Sequence, residues 1–594
     1  MSKIIVFASP VFLLLVALEY WWSLKRPGRV GYRLNDTLSN LSLGMVSQLW
    51  GVLTKLVLVG IYAAVQSRLT LVSNSEFWSS WYGILLALLL YDFCYYWQHR
   101  LGHSVSLMWA GHVVHHQSQT FNLGTALRQP STTFLVAWMF YLPMALAGVP
   151  PLVFGLVAMI DLLYQFWVHT EYVGKLGWYD RWFCSPSNHR VHHAVNDGYL
   201  DKNYGGILIV WDRLFGSFKE EDDAVPCVYG TRGLLDSWDP LWANADVYAS
   251  LLKTSWHAPR WADKLLVWLK PPGWQPRGMP VHLQKPPFSL DQMRQFDPPL
   301  KPGLMWFYGL NFLLLLVAVL AFLWFADQMA QGQAVLCVLA VTAGMWALGA
   351  GLQKRLSPWM VLAVQSAALA TASAALEYYQ IHTIFKPLVI LFTIIYVTNY
   401  WHKMLENSAN RLTIFILTIS LIFSGIGDVL LMWPGNLFIP GLVAFLAAHL
   451  LYIAVFKTSL SPVQTTGSQW FANRTALAAT LLAALVMYTL VYPGLHDPVL
   501  KVAVGLYAIV IALMAAQAVG RAQLLQTPRA RWVALGACFF MLSDSLLAIN
   551  RFVSPIAQSA FWILSTYYVA QLLIVHNLVA APAAGASAGR AEAG

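Results

Sequence analysis

Long apolar runs alternate with short polar intervals over most of the chain. A helix needs about 20 predominantly apolar residues to cross the hydrocarbon core of a bilayer. Runs approaching that length at Ile4 to Trp22, Leu41 to Val65, Trp78 to Trp97, Thr133 to Gly148 and Leu152 to Val168 predict five spans before residue 170. The first run ends in Trp21 and Trp22 and leads into Lys25, Arg26, Arg29 and Arg33, so it reads as a retained span and not as a signal peptide. From about Tyr172 to Pro302 the runs shorten, charges multiply and prolines crowd the end, which predicts a water-exposed region and linker. Ten further runs follow, at 303–326, 333–350, 357–377, 384–400, 412–432, 438–456, 474–493, 499–518, 531–549 and 559–580. The tail 581–594, rich in Ala and Gly, predicts disorder. The expected fold is an all-α polytopic membrane protein of about 15 transmembrane helices, divided into 1–302 and a helical membrane bundle 303–580.

Composition agrees with that pattern. Of 594 residues 58% are hydrophobic and 11% charged, against about 45–50% and 25% in soluble domains, which excludes an ordinary soluble enzyme. The excess of 37 basic over 27 acidic residues belongs in the cytoplasmic loops of a membrane protein and gives no reason to expect nucleic acid. Placing Arg26 inside and alternating puts Lys354/Arg355, Lys403/Arg411, Lys457/Arg474 and Arg521/Arg529/Arg531 inside as well. The amino terminus is then outside, and both His99 to Arg128 and His169 to Pro302 are cytoplasmic. Five scattered cysteines without a CxxC pair point to neither a disulfide framework nor a thiolate zinc site.

Histidine carries the chemistry. Nine of the 16 histidines fall between His99 and His193, in three clusters: His99 with His103, His112 with His115 and His116, and His189 with His192 and His193, with His169 between the last two. Separations of three and four residues place side chains on neighbouring helical positions, so each cluster offers imidazoles toward a common point. Nine nitrogen donors exceed the needs of one tetrahedral zinc, and imidazole also suits iron and copper, so a two-metal site is the economical reading. The chain is thus expected to carry a cytoplasmic histidine-rich di-metal cap. Metal-bound imidazoles hand their second nitrogen to a carboxylate, carbonyl or water, which makes Asp92, Glu171, Asp197 and Asp201 candidate partners. Asp92 also reads as a helix-end carboxylate meeting Arg100. Arg128 fits a lipid phosphate or a pterin, or an interfacial arginine with no ligand.

The HxxxH, HxxHH, HxxHH set resembles the membrane fatty acid hydroxylase and sterol desaturase superfamily. The segments from Asn122 to Gln129, Trp167 to Glu171 and Asp201-Lys-Asn203-Tyr204-Gly205 on to Trp211-Asp212-Arg213 are similar to its alkylglycerol monooxygenase branch. The resemblance covers about 80–220 and implies two iron ions held by the nine histidines, with Asn122, Arg128 and Asn203 among the supporting groups. It further implies O2-dependent hydroxylation of the carbon beside an ether oxygen of a membrane lipid, release of a fatty aldehyde, and electrons from tetrahydrobiopterin. The ether-lipid members carry an acidic residue after the second histidine, where this chain has Ser104. No heme CxxCH motif, P-loop or Rossmann fingerprint is apparent, so the electron donor is expected to be external.

Ionisable groups inside spans default to functional hypotheses, and Glu377, Asp428, His449 and Asp544 qualify. Lys386-Pro-Leu, Ser424-Gly-Ile-Gly-Asp428, Phe445 with His449 and Tyr452, Ser543-Asp544-Ser545 and Tyr567 with Gln571 resemble the lysoplasmalogenase-like (YhhN) family over about 357–580. That resemblance implies an eight-span bundle in which Asp428 and Asp544 serve as catalytic acid and base on a vinyl-ether lipid; the residues equally allow a structural bundle whose buried carboxylates pair with Lys386 or neighbouring amides. The alternatives are a fatty acyl or sterol hydroxylase or desaturase and, from another class, a transporter with Asp428, His449 and Asp544 as a proton relay. An integral multi-pass protein of a bacterial cell membrane, or of the endoplasmic reticulum in a eukaryote, is expected; the oligomeric state stays open.

Overall fold

The computed structural model describes residues 2–25, 31–72, 74–284, 287–401, 408–435, 437–459 and 470–579. The tail 581–594, and Arg26, Arg29 and Lys403 of the charge pattern, lie outside the described residues. Among the described residues the regular structure is helical, apart from two isolated bridges, Phe183 with Leu208 and Ala194 with Tyr229. The chain divides into two compact units, Met1–Arg355 and Leu356–Gly594.

In the first unit the main helices are α1 (Ser2–Lys25), α2 (Leu34–Leu69), α3 (Trp81–Ser104), α4 (Ser106–His116), α5 (Trp138–Leu146), α6 (Pro151–Trp167), α7 (Pro186–His193), α8 (Pro240–His257), α9 (Trp261–Leu269), α10 (Pro302–Phe325) and α11 (Gln331–Leu352). The sequence assigned the residues of α10 and α11 to the second bundle; instead α10 packs on α1 and α2, and α11 on α2 and α8. The second unit contains α12 (Pro358–Ala375), α13 (Tyr379–Trp401), α14 (Ser408–Met432), α15 (Phe438–Thr458), α16 (Arg474–Val491), α17 (Pro498–Leu525), α18 (Pro528–Phe552) and α19 (Ser559–Val579). Its neighbours run α12–α13–α14–α15–α17–α18–α19 and back to α12, with α16 against α17 and α18. Glycines allow the closest approaches, as in other membrane bundles: a Cβ on Gly427 would meet the Phe445 ring at 2.7 Å.

Eleven helices among the described residues are long and apolar enough to cross a bilayer, or twelve if the bent pair within α2 is one span. Eight of these belong to the second unit. The shortfall from 15 lies in the first unit and has local causes. The run Thr133 to Gly148 breaks into a 3-10 turn, Thr133–Leu135, and the nine-residue α5 with Pro143 inside it. Helix α6, started by Pro151, has 17 residues, about 26 Å of rise against a core of about 30 Å. Helix α3 starts apolar behind the Ser80 cap, but its second half carries Asp92, Gln98, His99, Arg100 and His103. Glu377, read as an ionisable group inside a span, is exposed between α12 and α13 with a left-handed backbone, φ 64°.

The polar start of α2 turns inward. Asp36 accepts from the hydroxyls of Ser118 and Thr120 and from Asn40, tying α2 to the segment that follows α4.

Candidate metal centre and lipid cavity

All nine clustered histidines come together, in two groups. His99, His103, His112, His116 and His192 place one ring nitrogen each within 4.8 Å of one another, and His115, His169, His189 and His193 do the same. Helical geometry explains the sorting. At 100° per residue, positions i and i+4 are 40° apart whereas i+3 lies 60° to the other side. So α4 sends His112 and His116 to the first group and His115 to the second. Helix α7 does the reverse, with His189 and His193 in the second group and His192 in the first. The groups adjoin, with the His116 and His193 ring centroids 4.3 Å apart.

Helix α7 shows what the arrangement demands. Ser185 caps it, Pro186 starts it, and the polar sequence Pro-Ser-Asn-His-Arg-Val-His-His is buried at every position. Buried polar groups need partners. Four outer nitrogens find them in backbone carbonyls: the Nδ1–H groups of His99, His115, His169 and His192 donate to Tyr204 at 2.8 Å, Arg128 at 3.0 Å, Gln165 at 2.7 Å and Lys202 at 3.0 Å, whereas His189 Nδ1 is buried without a partner. A carbonyl only accepts, so each of these rings turns a bare Nε2 lone pair inward. The Nε2 atoms of His115 and His169 then face each other at 3.0 Å, which is repulsive unless a cation lies between them. The other inward Nε2 pairs measure 3.0–3.2 Å, the separation of neighbouring nitrogens on one ion with bonds of about 2.1 Å. His103 and His192 Nε2 are buried without a hydrogen-bond partner. Burial, followed by the neighbouring imidazoles, pushes His112, His116, His189, His192 and His193 well below the usual imidazole range. Burial likewise takes His115 down to about 4, against the opposing Arg128 carbonyl. The rings are neutral at pH 7, the state a metal ligand requires. The donor set fits two metal ions.

The candidate supporting residues divide. Asp201 sits 3.4 Å from His103 Nδ1. Asp92 reaches no histidine; it accepts from Ile207 N–H at 2.7 Å, Leu208 N–H at 3.1 Å and the Trp211 indole at 2.8 Å, and so anchors the segment whose Tyr204 carbonyl holds His99. Asn203 clamps the same region through the backbone of Asn188 and Lys219. Asn122 caps the short helix Leu123–Ala126. Glu171 hydrogen-bonds the Tyr229 hydroxyl, and Asp197 pairs with Arg232. Arg128 is occupied by the protein and not by a phosphate or pterin: 1% exposed, it donates to Val114 O, Ser39, Asn40 and Gln117 while its carbonyl receives His115. Ser104 donates back to Arg100 O.

Sequence reasoning missed three contributors. Asp212, inside a segment singled out for resemblance, accepts from Tyr204 and Gly205 N–H, both at 2.8 Å. Arg190, between the α7 histidines, forks onto Glu221 and donates to Thr170 and Val173 carbonyls, fixing α7 to the His169 turn. The third is a cavity of about 550 Å3, within the range of small-molecule sites. His99, His112, His115 and His169 border it on one side; Phe12 and Leu13 of α1 and Leu316, Val319 and Leu320 of α10 provide apolar wall.

In the second unit Asp428 and Asp544 have separate partners. Lys386 lies 3.3 Å from Asp428, which also accepts from Tyr567 at 2.7 Å. Tyr507 donates to Asp544 and accepts from His449 at 2.8 Å. Asp544 borders a cavity of about 60 Å3.

The chain is a helical membrane protein with two buried histidine groups beside an apolar cavity, and residues 84–217 match the Fatty acid hydroxylase family, which makes it a lipid monooxygenase in class. Alkylglycerol monooxygenase from Xenopus tropicalis is 38% identical over 316 residues, 52% of this chain and 69% of the relative. The Danio rerio protein of that name is 37% identical over 57% of this chain and 74% of the relative. The chain belongs to the alkylglycerol monooxygenase family. Residues 381–578 match the YhhN family, and lysoplasmalogenase TMEM86A from Homo sapiens is 35% identical over 27% of this chain and 64% of the relative. No solved structure matches the chain.

Proposed function

We propose that the chain is an iron- and O2-dependent membrane monooxygenase that hydroxylates the ether-adjacent carbon of an alkylglycerol lipid and thereby releases a fatty aldehyde. The observation that carries this reading is the contact of four metal-competent histidines, two from each group, with the apolar cavity. The names of the relatives support the substrate class. The first iron would be held by His99, His103, His112, His116 and His192, the second by His115, His169, His189 and His193. Two bound irons would supply the activation of O2 that oxidising this C–H bond requires.

The protein's own part is positional. Carbonyls of Tyr204, Arg128, Gln165 and Lys202 keep imidazole lone pairs aimed inward. The α1 and α10 walls hold the alkyl chain and exclude water, which places the ether carbon at the histidine side. The sum is RCH2–O–R′ + O2 + 2e− + 2H+ → RCH(OH)–O–R′ + H2O, and the hemiacetal breaks to RCHO and R′OH. Tetrahydrobiopterin is the proposed two-electron donor, external to the chain. With α5 and α6 entering and leaving on one side, and α2 and α3 either both crossing or both not crossing, the charge alternation is unchanged, which supports a cytoplasmic histidine cap. The test is iron content of the detergent-purified protein beside aerobic and anaerobic alkylglycerol assays. Released aldehyde that needs O2 and iron is expected; a stable alcohol or alkene product would move the assignment to an acyl or sterol hydroxylase or desaturase.

For the second unit we infer hydration of a vinyl-ether lipid, RCH=CH–O–R′ + H2O → RCH2CHO + R′OH, with Asp428 and Asp544 as the acid and base. The burial of Asp428 beside Lys386 and Tyr567, and the contact of part-buried Asp544 with Tyr507, which His449 joins, support that reading. Aldehyde release from a lysoplasmalogen in the presence of chelator tests it; no release refutes it.

A further inference from the structure

The polar side of the large cavity contains a carboxylate that none of the foregoing uses. Asp161 lies on α6, two helical turns before His169, and is 2% exposed. Helix α6 is otherwise strongly apolar, so an aspartate there calls for an explanation. Its Oδ2 accepts from Gln165 Nε2 at 2.6 Å, and Gln165 Oε1 accepts from the Tyr95 hydroxyl at 2.9 Å. Its Oδ1 has no hydrogen-bond partner. That oxygen lies beside the bare Cα of Gly206, where a Cβ would come within 2.7 Å of it. Asp161, Gln165, Tyr95 and Gln98 all border the cavity that His99 and His169 border, opposite in character to the α1 and α10 walls.

A buried carboxylate oxygen without a donor is costly, and a hydroxyl group is the donor that satisfies it without adding charge. We propose that Asp161 is the binding residue for a hydroxyl of the substrate's polar head, so that the cavity takes a free glycerol diol at the α6 polar cluster and the alkyl chain along α1 and α10. The inference rests on the ether-lipid reading and deepens it: the ether carbon, which joins chain to head, is the part of the lipid that then falls beside the histidines.

The experiment uses the full-length, iron-loaded protein in detergent, with Asp161→Asn and Asp161→Leu variants and two substrates, a 1-O-alkylglycerol and the same alkyl chain with both glycerol hydroxyls methylated. Iron content is measured in every sample, and binding of labelled alkylglycerol is measured without O2. The wild type is expected to bind the free diol more tightly than the dimethylated lipid. Losing that hydrogen bond and leaving the substrate hydroxyl unmet weakens binding by about 5- to 100-fold, so Asp161→Leu raises Kd and KM for the free diol by that factor. Asp161→Asn, of the same shape, raises them less. Both variants keep wild-type iron, and their constants for the dimethylated lipid change under threefold. Unchanged diol binding in both variants, or equal losses on the two lipids, overturns the proposal while wild-type cleavage leaves the ether-lipid reading standing. A wild type that neither binds nor cleaves alkylglycerol sinks both.

Discussion

Replacing Asp92 by alanine tests how the first histidine group is held. Both oxygens of this carboxylate, 1% exposed, are engaged by Ile207 N–H, Leu208 N–H and the Trp211 indole. The segment they anchor begins at Tyr204, whose carbonyl takes the Nδ1–H of His99. Each hydrogen bond to a carboxylate contributes about 1.5–3 kcal/mol, and alanine leaves three buried donors unmet. Neighbouring losses do not add fully, so the local cost is about 4–6 kcal/mol, and about half that for asparagine, which retains one acceptor oxygen. Asp212 still binds Tyr204 and Gly205 N–H. The segment therefore shifts and does not detach.

Loss of the outer support of a metal-bound imidazole lowers metal affinity about 10- to 100-fold. The effect should fall on one ion, because the second group is held independently by the carbonyls of Arg128 and Gln165. Iron titration against a competing chelator, read beside a thermal scan, measures both quantities. Asp92→Ala is expected to show one site weakened by that factor, the other near wild type, and a lower melting temperature. Equal weakening of both sites, or wild-type affinity at both, refutes the argument that the segment acts on His99.

Four further outcomes follow from the geometry. His192→Ala and His115→Ala, one from each group, should each reduce iron from about two per chain to about one, and only the double variant should approach zero by mass spectrometry. Arg190→Ala breaks a buried pair with Glu221 and two carbonyl bonds, which should destabilise the first unit by about 3–5 kcal/mol in denaturant titration; a change under 1 kcal/mol would contradict the burial. Burial holds His115 at about 4 when folded against about 6.5 unfolded, so the unfolded chain binds the proton first, and metal-free protein loses up to about 3 kcal/mol as pH falls from 6.5 to 4; a chelated sample with a flat melting temperature from pH 7 to 5 refutes this. Asp428→Asn should abolish vinyl-ether hydrolysis, at least 100-fold down, with alkylglycerol cleavage unchanged in the same preparation.

The gathering of the nine histidines was legible in the sequence because helical spacing of histidine is a local signal. Their sorting into five and four was not, since it depends on how α4 and α7 are rotated toward each other, and HxxHH permits either assignment. The outer partners were harder still. A carboxylate, carbonyl or water was expected; Asp201 does lie beside His103, but four of the imidazoles rest on main-chain carbonyls, which every residue possesses and no sequence marks. Arg128 attracted notice as a charge, but its carbonyl and its packing are what matter. The spans failed where the hydropathy of a run concealed a break: Pro143, Gly148 and the Pro150–Pro151 pair divide what reads as two crossings. Helices α10 and α11 were assigned to the wrong half because apolar runs do not encode their neighbours.

The burial of α7 bears on how the first unit folds at all. Eight residues, most of them polar, are buried, and a main-chain acceptor meets the outer nitrogen of His192 but not that of His189. The inner edges offer lone pairs to one another at about 3 Å, a contact that neither hydrogen bonding between neutral rings of fixed tautomer nor protonation in so dry a setting relieves well. Metal binding at the proposed sites would remove that repulsion and repay the desolvation of the same groups, so the free energy of loading and the free energy of ordering the cap would be one quantity. Rigid carbonyl support of the imidazoles is then a requirement for assembling two adjacent sites in a small volume. It also fixes which face of each ring remains toward the cavity, where the lipid must be presented.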